Sequence, residues 1–502
     1  MDSHIQSDYT SLKNNRFFHG SSLLIIGSFL MISSDMRGGA GVFGWFMLIP
    51  FLLYVTLYHE FKSRLWLLLT LVVGAVLTFT KSVSDPIMIS LPVSIMFGVV
   101  TGLRYYLAFL IWDYIRKWTD DTASIIAFPA IIVSLEYLQA FYTPFGVWGS
   151  LANTQVYNLP LIQTASLFGF LGISALMSWA AVLGAFFILR RNFANIKISV
   201  VLFVIIFIGL NIWGDLRLST VPQGKHILVA GITNGQTVSK ALPNPEDPDV
   251  LQNTQRLIEL TRKAAAKGAD IAVWGEVSTI VSTKGEKALL GTLSRLAKKH
   301  HIAIVAAYAL LLPKEEQSEL YKMKNKFTWL RDDGTIAETY LKHHPVPGEG
   351  SVPGRAPLKA IRTKYGKMAG AICYDYDFPQ ISLTQARLGV DLVLLPGLDW
   401  RGMLIRHTLM ARIHAVGGGF SLFRSANEAT SMGFDNLGQI RAAMTAFGDD
   451  ESILIASLPV KRTDTLYTHI GNLLAYIAMF VLILLFFLAV WNHFKKQKKD
   501  QR

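Results

Sequence analysis

Long apolar runs separated by short polar segments fill the first 215 residues, and one more apolar run lies near the end of the chain. A helix needs roughly 20 apolar residues to cross a hydrocarbon core of about 30 Å. The pattern therefore predicts about eight membrane-spanning helices, seven before a more polar middle region and one after it. The predicted spans are 18–34, 40–58, 65–80, 87–112, 122–141, 161–189, 197–214 and 472–491.

Arg104 falls inside the fourth predicted span, where a buried charge is costly. Its side chain could snorkel to the membrane surface, line a polar cavity, or mark a helix that lies partly outside the membrane. We favour snorkelling, because the aliphatic stem of arginine can lie along apolar surface while the charged head reaches water.

The middle region, 216–468, alternates short apolar runs with amphipathic stretches. This order predicts an α/β sandwich, and about 250 residues can bury a full core as one domain. We divide the chain into a transmembrane domain at 1–215, an α/β domain at 216–468, and a C-terminal transmembrane helix with a basic tail at 469–502. The predicted strands include "HILVAGI", "DIAVWGE", "IAIVAAYALL", "KMAGAICYD", "DLVLLPG", "FSLFRSAN" and "SILIASLPV", with helices at 249–268, 287–300, 380–389 and 401–416.

Composition and charge agree with a membrane protein. Hydrophobic residues make up 51% and charged residues 17% of the chain, against about 25% charged in an ordinary soluble domain. The net charge is +13, and the Lys and Arg are largely scattered or clustered at segment ends. Those clusters indicate membrane topology and not nucleic-acid binding. Basic loops such as "YHEFKSR", "YIRKWTDD" and "LRRNFANIK" alternate with loops nearly free of Lys and Arg. This bias predicts that both termini are cytoplasmic and that 216–468 lies outside the cytoplasm.

Three chemically distinct side chains end predicted elements of the α/β region. Glu276 closes "IAVWGE", Lys342 closes "ETYLK", and Cys373, the only cysteine of the chain, closes "AGAIC". Residues that end neighbouring strands can meet at one edge of a sheet. Each has an ordinary explanation by itself: a small buried apolar residue for the cysteine, a cap or surface carboxylate for the glutamate, and a solvated lysine. The combination predicts a site.

Glu, Lys and Cys in this order, on these elements, resemble the nitrilase or carbon–nitrogen hydrolase superfamily over 226–460. With seven spans before the domain and one after, and with the stretch "PAIIVSLEYLQAFYTPFGVWGSLANTQ", nearly the whole chain resembles the apolipoprotein N-acyltransferase family. The resemblance implies a nitrilase-type αββα sandwich in which Glu276, Lys342 and Cys373 are catalytic. It also places Glu349 as a second carboxylate near the site.

Other segments depart from that family. Tyr374 and Asp375 stand where the family usually has Cys-Tyr-Glu, so they are expected near the substrate, with an aspartate one methylene shorter. The segments "GITNGQTVSKAL", "WGE", "GLDWRG" and "RSANEA" also differ from the family pattern, in regions that the resemblance assigns to lids and substrate contacts. The segment 399–406 could form a lid at the bilayer surface or belong to the core.

The chemistry of the three residues agrees with the implied roles. A free thiol has a pKa near 8.5, so it needs a base such as Glu276 at neutral pH. Lys342 and the backbone N–H of Tyr374 can stabilise an oxyanion. The absence of an HExxH motif, a cysteine pair and a phosphate-binding loop predicts no metal and no cofactor.

The resemblance implies transfer of an acyl chain from a membrane phospholipid, through a Cys373 thioester, to the N-terminal amine of diacylglyceryl-cysteine lipoproteins. The enzyme would be a monomer in the bacterial inner membrane, with its catalytic domain on the periplasmic side. A membrane-tethered amidase or nitrilase using the same residues, with water as acceptor, stays open. A non-catalytic scaffold or transporter is disfavoured by the intact residues. A Cys–His mechanism is also conceivable, with His343, His344, His407 or His414 as the base.

Overall fold

The computed structural model describes residues 19–35, 37–83, 91–190, 196–220, 224–233, 242–447 and 452–500. Three parts of the sequence interpretation lie outside these residues: the start of the fourth predicted span at 87–90, the basic loop at 191–195, and the segment 234–241. The chain forms two compact units. One takes the described residues up to Arg217 and those from Ile470 onward, and the other takes Leu218–His469.

The first unit is helical. Its main helices are α1 Gly20–Ser34, α2 Ile49–Leu57, α3 Phe61–Ser82, α4 Leu91–Trp118, α5 Asp121–Tyr142, α6 Phe170–Arg190, α7 Lys197–Leu218 and the C-terminal helix Leu473–Asp500. Within the described residues, six helices are long and apolar enough to cross a membrane: α3, α4, α5, α6, α7 and the C-terminal helix. The first two predicted spans are shorter, since α1 has 15 residues and a 3-10 turn precedes α2.

The outer surface of this unit is strongly apolar. Helix α7 leaves side chains such as Ile198, Ile205 and Leu216 exposed, and only 6% of its most apolar window is buried inside the unit. Soluble proteins rarely expose continuous apolar surface of this kind, because contact with water is unfavourable. The chain is therefore a membrane protein with several apolar helices.

Arg104 on α4 lies inside the helical unit and not at its surface. The guanidinium donates to Gln139 Oε1 of α5 at 2.7 Å and to the carbonyl oxygen of Gly149. The side chain is buried, so the snorkelling prediction is wrong. A buried guanidinium needs such acceptors, since leaving the charge without partners would be costly. Here the acceptors come from α5 and the loop after it, which Arg104 holds together.

The second unit contains two β-sheets that face each other. In the described residues one sheet has the strand order β13-β1-β2-β4-β5-β6, with β3 paired to β4, and the other has the order β12-β11-β10-β9-β8-β7. The strands are β1 Lys225–Thr233, β2 Ile271–Trp274, β3 Ile280–Val281, β4 Ala303–Leu311, β5 Met323–Leu330, β6 Ile336–Leu341, β7 Ile361–Arg362, β8 Lys367–Gly370, β9 Leu392–Leu398, β10 Ser421–Asn427, β11 Ala429–Phe434, β12 Ile440–Ala446 and β13 Ser452–Val460.

Helices cover the outer faces of the two sheets. Helices α8 Pro248–Ala266 and α9 Thr283–His300 pack their apolar faces on the first sheet, where Leu257 and Leu293 are fully buried. Helix α11 Arg406–Gly418 packs on β10 and β11, and α10 Pro379–Arg387 packs against α11. The central parallel strands are covered on both faces, which explains their nearly continuous apolar sequences. The predicted α/β sandwich is confirmed.

Within the α/β unit, two predicted boundaries differ most from the structure. The strand predicted to run to Asp375 ends at Gly370, and the helix predicted from residue 401 begins at Arg406. Apolar content cannot locate the first boundary, because "AIC" continues the apolar run while the backbone already turns. This turn carries the cysteine.

Candidate active site

Cys373 lies in a tight turn directly after β8. Gly370 ends the strand against the ring of Phe327, where an added Cβ would collide with the ring, so this close approach requires glycine. Cys373 has a φ of 44°, in the left-handed region that side chains with a Cβ rarely adopt. Its side chain is buried, with Sγ 3.6 Å from the carbonyl oxygen of Leu398. Backbone strain of this kind is concentrated at functional sites.

Asp375 joins the cysteine turn to the segment after β6. Its Oδ2 accepts hydrogen bonds from Ile372 N at 3.0 Å and from the Tyr340 hydroxyl at 2.8 Å. Its Oδ1 accepts from His343 N at 3.0 Å and His344 N at 2.7 Å. Burial opposes ionisation, but His344 and the backbone donors hold the pKa of Asp375 below its usual value. These contacts give Asp375 a positioning role between the two segments.

The buried Glu276, Lys342 and Asn325 form, with the half-buried Glu349, a group that we call the lysine cluster. Lys342 Nζ donates to Glu276 Oε1 at 2.7 Å and to Glu349 Oε2 at 2.6 Å. Asn325 Nδ2 bridges the same two carboxylates, at 2.7 Å from Glu276 Oε1 and 2.8 Å from Glu349 Oε1. The structure therefore brings the predicted Glu276, Lys342 and Glu349 together, although 66 positions separate the first two in sequence.

Two carboxylates share one ammonium in the lysine cluster. Burial opposes the charge of Lys342, but Glu276 and then Glu349 raise the pKa of its ammonium well above the usual value. Burial raises the pKa of Glu276, with Lys342 acting in the opposite direction and Glu349 adding to the rise. The pKa of Glu349 is lowered, because Lys342 and several hydrogen bonds outweigh its burial. The cluster thus holds a permanent cation beside a carboxylate with raised proton affinity.

The thiol is electrostatically linked to this cluster. Burial is the largest cause that raises the pKa of Cys373, and the negative charge of Glu276 is the next. Arg424 acts in the opposite direction. A buried thiol next to a carboxylate is therefore protonated at rest, and it becomes nucleophilic when the carboxylate accepts its proton.

A second group of charges, which we call the arginine cluster, contacts the sulfur and was not predicted as a unit. Arg424 Nη2 lies 3.3 Å from Cys373 Sγ, and Nη1 donates to Asp399 Oδ2 at 2.6 Å. His407 lies between two carboxylates, with Nδ1 2.6 Å from Asp399 Oδ1 and Nε2 2.9 Å from Asp377 Oδ2. Arg424, Asp399, His407 and Asp377 make up this cluster, and all four are buried.

The ligand atoms of Cys373, Asp399 and His407 lie within 4.8 Å of one another, as in a metal site. Arg424 Nη2, however, already contacts all three, at 3.3 Å from Sγ, 3.2 Å from Asp399 Oδ1 and 3.2 Å from His407 Nδ1. A guanidinium cation at the shared centre would repel a metal ion and blocks the approach to all three ligands. We assign no metal to this site.

The four candidate histidine bases have different environments. His343 places its ring nitrogens on the carbonyl oxygens of Leu341 and Ala356, and His344 stacks on Phe378. Burial lowers the pKa of His414 to about 4. Burial opposes protonation of His407 too, but Asp377 and Asp399 raise its pKa well above the usual value. An imidazolium held between two carboxylates cannot accept the thiol proton, which favours Glu276 as the base.

Sequence reasoning missed Arg424 and Asp399 as neighbours of the sulfur. Asp399 lies in "GLDWRG" and Arg424 in "RSANEA", two segments that sequence analysis noted only as departures from the family pattern. A signal was present, since Asp399 directly follows β9 and Arg424 is the one charged residue of β10. The side chain of Tyr374 is buried edge-on against Phe378. The segment 399–406 is partly core, with Trp400 buried and Leu404 exposed.

Two family profiles match different parts of the chain. The apolipoprotein N-acyltransferase N-terminal domain matches residues 27–183, and the carbon–nitrogen hydrolase domain matches residues 237–467. Among solved structures, Saccharomyces cerevisiae Nit3 of the nitrilase superfamily is similar, with 23% identity and a TM-score of 0.39 over 48% of this chain and 92% of Nit3. An amidase from Nesterenkonia sp. has 19% identity and a TM-score of 0.40 over 52% of this chain and 98% of the amidase.

The two facing sheets and the profile match make the second unit a carbon–nitrogen hydrolase domain. The apolipoprotein N-acyltransferase of Geobacter metallireducens is 27% identical over 423 residues, 77% of this chain and 79% of the relative. Deaminated glutathione amidase of Bos taurus is 27% identical over 169 residues, 30% of this chain and 52% of the amidase. The chain belongs to the apolipoprotein N-acyltransferase family and is an acyltransferase of the nitrilase superfamily.

Proposed function

We propose that this enzyme moves an acyl chain from a membrane phospholipid, through a thioester on Cys373, to the N-terminal amine of a diacylglyceryl-cysteine lipoprotein. Glu276, Lys342 and Cys373 are the proposed catalytic residues. The observation that carries the proposal is the lysine cluster. Lys342 Nζ lies 2.7 Å from Glu276 Oε1, and Glu276 is, after burial, the largest cause of the raised pKa of the Cys373 thiol.

Acylation of the enzyme begins with proton transfer from the Cys373 thiol to Glu276. The sulfur attacks the ester carbonyl carbon, and the Lys342 ammonium with the backbone N–H of Tyr374 stabilises the oxyanion. When the carbon–oxygen bond breaks, the leaving alkoxide takes the proton from Glu276 and departs as lysophospholipid. Removing one oxyanion donor typically costs about 3–4 kcal/mol of barrier, so Lys342 accounts for a large share of the rate.

Transfer to the acceptor repeats this chemistry in the opposite direction. An α-amine has a pKa of about 7.7–8.0, so a useful fraction is neutral near pH 7. The amine attacks the thioester carbon, Glu276 accepts a proton from the amine nitrogen, and the carbon–sulfur bond breaks. The sulfur then regains a proton from Glu276, which restores the resting site. Glu349 and Asp375 hold the reacting groups in place, and Tyr374 contributes its backbone.

The membrane arrangement is part of the proposal. We infer eight spans, made of the six long helices, α1 and the shorter apolar segment around α2, with the chain divided at 215/216 and 468/469. The basic loops put both termini in the cytoplasm and the catalytic domain on the periplasmic side of a bacterial inner membrane. A membrane-anchored enzyme can receive long acyl chains without exposing them to water, which would cost about 0.8 kcal/mol per CH₂. The enzyme acts as a monomer.

The test is acyl transfer by the purified full-length chain in detergent micelles, with phospholipid and a synthetic diacylglyceryl-cysteine peptide. Mass spectrometry should detect a peptide heavier by one acyl chain, together with lysophospholipid. Cys373→Ala should form neither product. Release of free fatty acid, or of ammonia from a small amide, without acylated peptide would instead favour the amidase alternative. Equal transfer by wild type and Cys373→Ala would show that Cys373 is not the nucleophile, and no product from either protein would leave only a scaffold role.

A further inference from the structure

We propose that Arg424 is a further catalytic residue of this site and that its guanidinium binds the Cys373 sulfur as a thiolate. The proposal deepens the proposed function and rests on it. Lys342 and Arg424 would then each stabilise one of the two atoms that become negative during the reaction. The ammonium stabilises the negative carbonyl oxygen, and the guanidinium stabilises the negative sulfur.

The orientation of Arg424 is fixed by neighbouring acceptors. Besides its contact with Asp399 Oδ2, Nη1 donates to Thr408 Oγ1 at 2.8 Å, and Nη2 lies 3.2 Å from Asp399 Oδ1. Both terminal nitrogens therefore contact one carboxylate, the two-point arrangement for which the planar guanidinium is suited. This arrangement directs Nη2 at Cys373 Sγ, 3.3 Å away. The arginine side chain is 1% exposed, so water does not compete for its guanidinium.

The charges around the sulfur make a cation at this place necessary. The charged and titratable groups that interact with it are Glu276 after β2, Lys342 after β6, Tyr374 in the cysteine turn, Asp399 after β9, His407 on α11 and Arg424 on β10. Asp377 lies on the far nitrogen of His407. The carboxylates disfavour a thiolate, and so does burial. Asp399 is neutralised by Arg424 and His407, which lie against its two oxygens. Arg424 opposes the rise in the pKa of the thiol more strongly than His407 does, and its Nη2 contacts Sγ directly.

Arg424 takes part in both steps without exchanging a proton. When Glu276 removes the thiol proton, the electron pair left on sulfur is stabilised by the Nη2–H group. The pair then forms the carbon–sulfur bond of the thioester. When the amine displaces the thioester, this bond breaks and the pair returns to sulfur beside the same donor. A guanidinium suits the role because it is effectively always protonated, so it stays a cation throughout. His407 positions the arginine by holding Asp399.

Thiol alkylation tests this proposal directly, because Cys373 is the only cysteine of the chain. The full-length protein in detergent is treated with iodoacetamide from pH 6 to 10, and modification is followed by intact mass. Arg424→Gln should slow alkylation near neutral pH on the order of tenfold, the change that one pKa unit gives in thiolate fraction. Arg424→Lys, which keeps a cation, should lie between Arg424→Gln and wild type. Arg262→Gln, which alters an exposed arginine paired with Glu259 on α8, should match wild type.

Thermal unfolding of each variant separates loss of the fold from loss of the contact. An unchanged or faster alkylation profile for folded Arg424→Gln would overturn the proposal. If Arg424→Gln does not fold, Arg424→Lys decides: slower alkylation than wild type supports the proposal, and an unchanged profile overturns it. The readout does not depend on acyl transfer. If the Arg424 variants are alkylated like wild type while the wild-type enzyme still forms acylated peptide, only this inference is rejected. If the variants are alkylated more slowly but the wild-type enzyme forms no acylated peptide, only the proposed function is rejected.

Discussion

Two buried glutamates, one in each unit, have opposite environments. Glu136 of α5 accepts hydrogen bonds on both carboxylate oxygens. Ser150 Oγ and Ser174 Oγ donate to Oε2, each at 2.6 Å, and Leu151 N donates to Oε1 at 2.9 Å. Hydroxyl and backbone donors of this kind satisfy the charge and tie the loop after α5 to two helices. Glu136 is thus a structural carboxylate.

Glu276 uses its carboxylate asymmetrically. Lys342 and Asn325 both donate to Oε1, and across the described part of the chain no hydrogen bond to Oε2 is found. One oxygen therefore fixes the side chain, and the other is available for a proton. The comparison shows that burial alone does not identify a catalytic carboxylate. What distinguishes Glu276 is an unused oxygen, a raised pKa and a neighbouring thiol.

Replacing Glu276 by glutamine should have the largest effect that this comparison predicts. The glutamine amide cannot accept the proton of the Cys373 thiol, and loss of a general base typically lowers the rate about 10²–10⁴-fold. Single-turnover acylation of Cys373, followed by mass spectrometry, measures this step. The thermal unfolding temperature should fall less than it does in Lys342→Met, because glutamine keeps the oxygen that Lys342 contacts and Glu349 still pairs with the ammonium. Acylation within about threefold of wild type would contradict the assignment of Glu276 as base, which predicts a far larger loss.

Lys342→Met tests the cation that both carboxylates of the lysine cluster share. Loss of an oxyanion donor should reduce acylation about 10²–10³-fold. Removing one partner of a buried ion pair should also cost about 3–5 kcal/mol of unfolding free energy. Rates measured at low temperature, where the variant stays folded, separate the two effects. If the protein is destabilised but the rate per folded molecule is unchanged, Lys342 has only a structural role.

Glu349→Gln should shift the pH dependence of kcat/KM for acyl transfer. The base must be ionised, so activity is lost as the pH falls through the pKa of Glu276. The charge of Glu349 contributes to the raised pKa of Glu276, and its removal should move the acidic limb to lower pH. Glu259→Gln, an exposed carboxylate on α8, is the control. If the acidic limb of the kcat/KM profile stays in place or moves to higher pH in Glu349→Gln, then Glu349 does not act through Glu276.

Glu136→Gln should have the smallest effect on catalysis. An amide can accept on one side only, so part of the hydrogen-bond set around Glu136 is lost, at a cost of about 1–3 kcal/mol in stability. Thermal unfolding in detergent should detect this loss, while acylation per folded molecule stays at the wild-type rate. A rate as low as that of Glu276→Gln would show that the two glutamates do not differ as described.

The sequence predicted the sandwich because periodicity and apolar runs report directly on burial in strands and helices. It also predicted that Glu276, Lys342 and Cys373 meet, and Lys342 does contact Glu276. The reason for that prediction, a shared edge of one sheet, is wrong, because Glu276 and Lys342 follow β2 and β6 of one sheet while Cys373 follows β8 of the other. Arg424, Asp399 and Asn325 were not predicted. Their importance depends on which side chains face the sulfur across the gap between two sheets, and sequence spacing does not report this. The inward orientation of Arg104 was missed for the same reason, because its acceptors lie on another helix and a loop.

The central claim, that Cys373 carries the acyl group, is tested most directly by the intact mass of the full-length protein after incubation with phospholipid and no acceptor. We expect an adduct of one acyl group on Cys373 that hydroxylamine removes and that disappears when a diacylglyceryl-cysteine peptide is added. A protein whose mass does not change while acyl transfer proceeds, or an adduct that persists in Cys373→Ala, would contradict the thioester mechanism.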